Sequence, residues 1–224
     1  MNTQAADLPS APDAMHIHRG RMQAVLYYGR ANQRITAHFG DAVIEGFRFA
    51  SAFFGKGEFS PSSITPRGDG LYFRQELSGQ YYQPLRGDQL EPVTRDNWSK
   101  LKMRREVSEE CRLTYRAHIR AIDNGLEMRI HATGTDNVPI AVEIALRPGG
   151  QLEGVVPAPD AKQAFLLRDG HARYRVGDDV VQIGPGKAQH GYTQIRGAAK
   201  RLTDTGLYFT GLTPFDHAFT LEME

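Results

Sequence analysis

The residues best suited to chemistry stand at alternate positions near the carboxyl end of the chain. They are His190, Tyr192, Gln194 and Arg196, within the stretch 189–196. If residues 192–195 form a strand, these side chains project together from one sheet face. Histidine, glutamine and arginine hydrogen-bond sugar hydroxyls, and a tyrosine ring covers the C–H face of a pyranose. The pattern predicts a carbohydrate-contacting face, and its alternative is a solvated outer face of a sheet.

A second group of polar residues could complete such a site. Glu143 and Arg147 fall on the predicted strand 138–146, where alternation keeps both charges in register. Tyr82 and Gln83 offer a further aromatic ring and an amide. If these groups converge with His190, the site gains a carboxylate, a base and an arginine that stabilises negative charge on a uronate carboxyl group. The alternative is that Glu143 and Arg147 are partnered surface charges.

Most signatures of other chemistries are missing from the sequence. It contains no phosphate-binding GxxxxGK[ST], no HExxH, no cysteine cage and no GxSxG motif. His16 and His18 share one side of a predicted strand, but the sequence offers no third metal ligand nearby. We therefore expect neither a metal nor a cofactor, and we expect the single cysteine, Cys111, to be a small buried side chain.

Charge and hydropathy limit the classes of partner. The 27 Lys and Arg residues almost balance the 26 Asp and Glu residues, so the chain as a whole creates no field that attracts nucleic acid or an anionic membrane. No apolar run approaches the roughly 20 residues of a membrane-spanning helix, and the first residues lack a signal peptide's basic and apolar regions. We expect a cytoplasmic protein, or a periplasmic one if the sequence is part of a longer exported chain.

The elements that must position these residues are predicted to be strands. Residues 113–121 alternate, reach Asp123-Asn124-Gly125 and alternate again over 126–130, which predicts a hairpin. A second hairpin is predicted where 164–167 turn at Asp169-Gly170 into 171–176. We expect an all-β fold of two packed antiparallel sheets with about a dozen strands, and closure into a barrel is the structural alternative. Residues 1–14 are predicted to be a flexible segment and 15–224 a single domain, with a long loop or short helix around 86–110.

The second half of the chain resembles a known kind of module. The resemblance is carried by Val-Pro-Ile-Ala-Val-Glu-Ile-Ala-Leu-Arg-Pro-Gly-Gly at 138–150, His-Gly-Tyr-Thr-Gln at 190–194 and Tyr-Phe-Thr-Gly-Leu-Thr-Pro-Phe at 208–215. These segments look like the carboxy-terminal β-sandwich modules of bacterial polysaccharide-degrading proteins of the heparinase II/III-like kind. In such lyases the reaction abstracts the proton α to a uronate carboxyl group, and much of the machinery lies on a preceding helical toroid. This chain contains no toroid, so the resemblance implies an accessory, carbohydrate-contacting domain.

Three functions follow as hypotheses. The first is a carbohydrate-contacting β-sandwich, favouring uronate-type sugars or another small polar ligand, with Arg147, Gln194, Arg196, Tyr82 and Gln83 as ligand-binding residues. The second is a small sugar-active lyase, isomerase or hydrolase, in which His190 or Tyr192 is the general base and Glu143 its partner. The third is a structural domain whose exposed strand edges pair with another subunit, giving a homo-oligomer.

Overall fold

A computed structural model describes residues 14–28, 35–196 and 198–224, and almost every element in it is a β-strand. The sixteen strands are β1 (Ala14–Arg19), β2 (Met22–Tyr27), β3 (Ile35–Phe39), β4 (Ala42–Ser51), β5 (Ser63–Arg67), β6 (Gly70–Tyr82), β7 (Val107–Ile122), β8 (Gly125–Gly134), β9 (Pro139–Leu146), β10 (Gln151–Glu153), β11 (Val156–Pro157), β12 (Ala164–Leu166), β13 (Ala172–Val176), β14 (Asp179–Gly184), β15 (Thr205–Leu212) and β16 (Phe215–Met223).

The strands form two eight-stranded sheets. Sheet A has the order β1-β2-β3-β4-β9-β15-β12-β11, and sheet B has the order β10-β13-β14-β16-β8-β7-β6-β5. Neighbouring strands are antiparallel except for the parallel pair β12 and β15. The predicted two-sheet β-sandwich is confirmed. There are more strands than expected because several short ones, including β5, β10 and β11, fall where the sequence shows little alternation.

The apolar core lies between the sheets and follows the predicted alternation. On β7 the side chains of Leu113, Tyr115, Ala117 and Ile119 are buried, while the residues between them face outward. A fully buried Leu or Ile side chain, such as Leu113 or Ile119, contributes about 1.5–3 kcal/mol relative to exposure. Cys111 is also buried, as expected.

One predicted hairpin is confirmed and the other is wrong. β7 and β8 pair across a tight turn in which Ile122 faces Gly125. The strands on either side of Asp169-Gly170 do not pair. β12 lies in sheet A, where it joins β15, whereas β13 lies in sheet B and pairs with β14. The turn therefore crosses from one sheet to the other, and the real hairpin of β13 turns at Gly177, whose φ is +59°.

The excursion between β6 and β7 matches its prediction. It contains a single 3-10 turn (Gly87–Gln89) and the short helix α1 (Trp98–Met103). Leu101 is the buried residue of this helix. No helix within the described ranges is long and apolar enough to cross a lipid bilayer. The predicted flexible segment 1–14 falls outside the described residues, apart from Ala14, which begins β1.

Candidate functional site

The stretch 190–196 is not a strand, which corrects the sequence prediction for residues 192–195. The carboxylate of Asp160 holds this stretch in a loop. It accepts hydrogen bonds from the Thr193 N–H (2.7 Å), the Thr193 hydroxyl (2.7 Å) and the Gln194 N–H (3.1 Å). Although burial works in the opposite direction, these hydrogen bonds hold the pKa of Asp160 below its usual value. Backbone donors captured by a side chain are lost to a strand ladder, so the alternation of the sequence does not become a shared face.

Both ring nitrogens of His190 make hydrogen bonds within the protein. Its Nε2 lies 3.0 Å from the Gly211 carbonyl oxygen, and its Nδ1 accepts the Tyr192 N–H at 3.2 Å. The carbonyl requires a proton on Nε2, and the N–H requires a lone pair on Nδ1, so both ring nitrogens are engaged in the neutral form. In this conformation His190 has no lone pair available to act as a general base.

The other predicted side chains of this stretch diverge. Tyr192 is 63% exposed beside the His190 ring. Gln194 borders a depression of about 730 Å³. Arg196 borders a different one, of about 370 Å³, next to Phe54.

Glu143 belongs to a buried ion pair and not to a pair with Arg147. Its Oε2 lies 3.1 Å from Nη2 of Arg48, and its Oε1 accepts the Leu202 N–H at 3.2 Å. Both charged side chains are at most 5% exposed. Burial raises the pKa of Glu143, against the opposing attraction of the Arg48 guanidinium. No sequence pattern pointed to Arg48, because an arginine on the outer face of a strand is usually solvated.

The remaining predicted residues lie in two other places. Arg147 follows β9 and pairs with Glu45, its Nε 2.5 Å from the Glu45 Oε1. Tyr82 and Gln83 lie at the far end of β6 in the other sheet, and both are exposed. The structure therefore does not bring the predicted site residues together.

A different group of side chains does converge, on the outer face of sheet B. It occupies four adjacent strands and surrounds a depression of about 250 Å³, which we call the sheet B site; its residues are Tyr72, Arg116, His118, Arg129, His131 and Asp216. The register explains the convergence, because Tyr72 faces His118 and His118 faces Arg129, while Arg116 faces His131 and His131 faces Asp216. These two neighbouring rows point outward because they alternate with the core residues.

One edge of the sheet B site is a fixed ion pair. Arg129 holds both carboxylate oxygens of Asp216, at 3.2 Å from Nε and 2.9 Å from Nη2. The hydrogen bond from Arg129 keeps the pKa of Asp216 below its usual value. His131 places Nδ1 3.8 Å from the same carboxylate. Asp216 is therefore a charged acceptor that a ligand hydroxyl can reach beside His131.

His118 carries an unused polar atom at this site. Its ring centroid lies 6.4 Å from that of Tyr72, and its Nε2 is buried without a hydrogen-bond partner among the described residues. Burial and the nearby charge of Arg120 lower the pKa of His118. The site therefore contains a neutral imidazole whose Nε2 is shielded from solvent.

Arg116 is the cation with no partner at the sheet B site. It is exposed, and across the described ranges its guanidinium makes neither a hydrogen bond nor an ion pair. By contrast, Arg74, directly opposite on β6, is paired with Glu76. A free guanidinium that lines the same depression as an aromatic ring and two imidazoles is suited to a planar carboxylate.

The sequence contained a signal for this site. Arg116, His118 and Arg120 alternate before the predicted turn, and Glu127, Arg129 and His131 alternate after it. A tight turn fixes the register of a hairpin, so the two sets had to face each other. No sequence pattern indicated that Tyr72 on β6 and Asp216 on β16 would join these residues.

Within the described part of the chain, no three His, Cys, Asp or Glu side chains are grouped so that they could hold a metal ion. Comparison with known proteins yields no match: no protein-family model, no curated protein and no solved structure matches the chain.

Proposed function

We propose that this protein binds a carbohydrate carrying a carboxylate, a uronate-type sugar, at the sheet B site. The observation that carries the proposal is Arg116, an exposed guanidinium without a partner among the described residues, beside Tyr72 and His118. In this arrangement the ligand carboxylate accepts two parallel hydrogen bonds from the Arg116 guanidinium. The sugar ring then lies against the Tyr72 ring. The ligand hydroxyls reach the Asp216 carboxylate, whose side chain is about half exposed.

The side chains that line the site suit a small ligand that combines polar groups with an apolar ring face. Drug-sized ligands occupy pockets of about 300–1,000 Å³, and the 250 Å³ depression is slightly smaller. Tyr72 is the single aromatic side chain among its lining residues, while five polar or charged side chains surround it. The resemblance to sandwich modules of polysaccharide-degrading proteins points to the same class of ligand.

Calorimetric titration with a uronate disaccharide tests the proposal. We expect binding that weakens about tenfold or more in Arg116→Gln, since a charge-assisted bidentate contact contributes about 1.5–3 kcal/mol and each 1.4 kcal/mol is tenfold. Arg168→Gln is the matched control, because Arg168 is exposed in the turn between β12 and β13. The neutral disaccharide of the same linkage should bind more weakly than the uronate. Absence of uronate binding, or equal affinity in Arg116→Gln, would overturn the proposal.

A further inference from the structure

The outward-facing polar residues of β6 and β7 extend well beyond the sheet B site. Starting from Tyr72 and His118, the cross-strand pairs continue along both strands to the end of β6. We call this surface the β6–β7 track; its pairs are Tyr72 with His118, Arg74 with Arg116, Glu76 with Thr114, Ser78 with Arg112, and Gln80 with Glu110. The intervening residues of β7 face the core, so the track lies on one continuous face.

The track contains a second depression. It has a volume of about 400 Å³ and includes Glu76, Ser78, Glu110, Arg112 and Thr114 in its lining. These residues occupy the next positions along the strands that supply Tyr72, Arg116 and His118 to the sheet B site. The two depressions therefore follow one another along one line.

An aromatic ring stands at the far end of the track, as Tyr72 does at the near end. The Tyr82 hydroxyl donates to Gln80 Oε1 at 2.9 Å, which places the Tyr82 side chain beside an outward-facing residue. The Arg105 guanidinium carbon lies 4.8 Å from the Tyr82 ring centroid and steadies the ring from one side. The ring remains 40% exposed.

The dimensions of the track exceed one sugar ring. Tyr72 and Tyr82 are ten positions apart on β6, and a strand rises about 3.3 Å per residue, so the aromatic ends are roughly 33 Å apart. Two depressions and two terminal rings along that length offer successive places for successive units of a chain.

The charges along the track favour one kind of linear ligand, an oligosaccharide, over a single-stranded nucleic acid. Arg74 is paired with Glu76, and Arg112 with Glu110 at 3.3 Å, so acidic and basic groups alternate along the surface. A single-stranded nucleic acid needs a groove in which positive charge predominates, because it presents a phosphate at every unit. The paired charges and neutral amide and hydroxyl groups instead suit a chain rich in hydroxyls with few carboxylates.

We propose that the ligand is a linear oligosaccharide of several units, lying along the β6–β7 track between Tyr72 and Tyr82. The inference rests on the proposed function, because it extends the same site. Arg116 takes a carboxylate in the first depression, and Arg112 and Ser78 contact the units in the second. The Tyr82 ring stacks on the unit at the far end.

The dependence of affinity on chain length tests the inference. Oligosaccharides with one terminal uronate and otherwise neutral units, from the uronate alone to a hexamer, are titrated calorimetrically into the full chain. We expect affinity to rise with length and then level off once the track is filled. Tyr82→Ala and Arg112→Gln should each weaken the hexamer about fivefold or more, which corresponds to about 1 kcal/mol. Both variants should leave the disaccharide unchanged. Arg116→Gln should weaken both ligands.

Tyr192→Ala is the matched control for Tyr82→Ala, because Tyr192 is an exposed tyrosine of the loop that lies on sheet A. Tyr192→Ala should change neither the affinity for the disaccharide nor that for the hexamer. If the disaccharide and hexamer bind equally, or if Tyr82→Ala leaves the hexamer unaffected, the track is not the site and only this inference fails. If no uronate of any length binds, the proposed function fails with it. Tighter binding of an oligonucleotide than of the hexamer would also overturn the inference.

Discussion

Arg48 and Glu143 lie directly opposite each other on β4 and β9, where they form an ion pair buried beneath the chain that follows the loop 190–196. The carbonyl oxygens of Ala199 and Lys200 accept hydrogen bonds from Arg48, and the Leu202 N–H donates to Glu143. The pair therefore fastens residues 199–202 to the outer face of sheet A.

Replacing one member of this pair should destabilise the protein strongly. Glu143→Gln removes the nearer of two carboxylates from the buried Arg48 and leaves only Glu58, whose Oε1 lies 3.9 Å from Arg48 Nε. Removing one partner of a buried ion pair costs about 3–5 kcal/mol. We expect a lower midpoint of urea unfolding with an unchanged slope, measured by circular dichroism. Glu106→Gln, the same change in the exposed pair of Arg86 and Glu106, should cost about 0–1 kcal/mol. Equal destabilisation by Glu143→Gln and Glu106→Gln would contradict the argument.

The sandwich could be predicted because apolar and polar residues alternate along its longest strands. β7 alternates core and outward residues along its length, and the turn at Asp123-Asn124 fixes its pairing with β8. The error at β12 and β13 has a physical cause. Alternation and a turn signal identify two strands, but which sheet each one joins depends on distant partners, here β15 and β14.

The predicted site failed for a related reason. Alternation at 190–196 describes a face only if the backbone is extended, and Asp160, distant in sequence, captures the amides of Thr193 and Gln194. The β7–β8 hairpin, by contrast, could be predicted from the sequence, and it supplies four of the six residues of the sheet B site. The positions of the other two, Tyr72 and Asp216, depend on strand pairings that no local pattern fixes.

Removing the Asp160 carboxylate should loosen the loop 190–196. Asp160→Ala deletes three hydrogen bonds to Thr193 and Gln194, and hydrogen bonds to a charged group contribute about 1.5–3 kcal/mol. We expect amide hydrogen exchange at 193 and 194 to accelerate markedly, while exchange in β7 and β8 stays unchanged. Asp160→Asn retains one acceptor oxygen, so its exchange rates at 193 and 194 should lie between those of the wild type and of Asp160→Ala. Unchanged protection in Asp160→Ala would show that other contacts hold the loop.

Adding a methyl group at Gly79 should displace the ring of Phe54. A Cβ built on Gly79 overlaps that ring, which itself packs 4.9 Å from the Tyr81 ring. Because the Phe54 ring is 39% exposed and can move partly aside, Gly79→Ala should cost about 1 kcal/mol, the low end of the range for overpacking. Gly87→Ala, where the added methyl meets open space, should be nearly neutral. If the clash is the cause, Gly79→Ala should cost much less in a Phe54→Ala background, and an equal cost in both backgrounds would exclude it.

His217 should make stability depend on pH between about 4 and 6.5. Burial against Phe209 and Phe219, reinforced by the charge of Lys187, lowers its pKa to about 4, whereas an unfolded histidine titrates near 6.5. The folded state therefore binds fewer protons in this range, so the histidine's contribution is complete above about pH 6.5 and declines as pH falls towards 4.

The decline due to His217 amounts to at most about 1.4 kcal/mol per pH unit. Urea unfolding of the wild type and of His217→Gln, compared from about pH 7 to about pH 4.5, isolates this contribution because the carboxylates that titrate in the same range are common to both proteins. We expect the wild type to lose more stability than the variant as pH falls. Parallel losses would mean that the imidazole becomes protonated in the folded protein, and its C2 proton would then titrate near the unfolded value in NMR spectra.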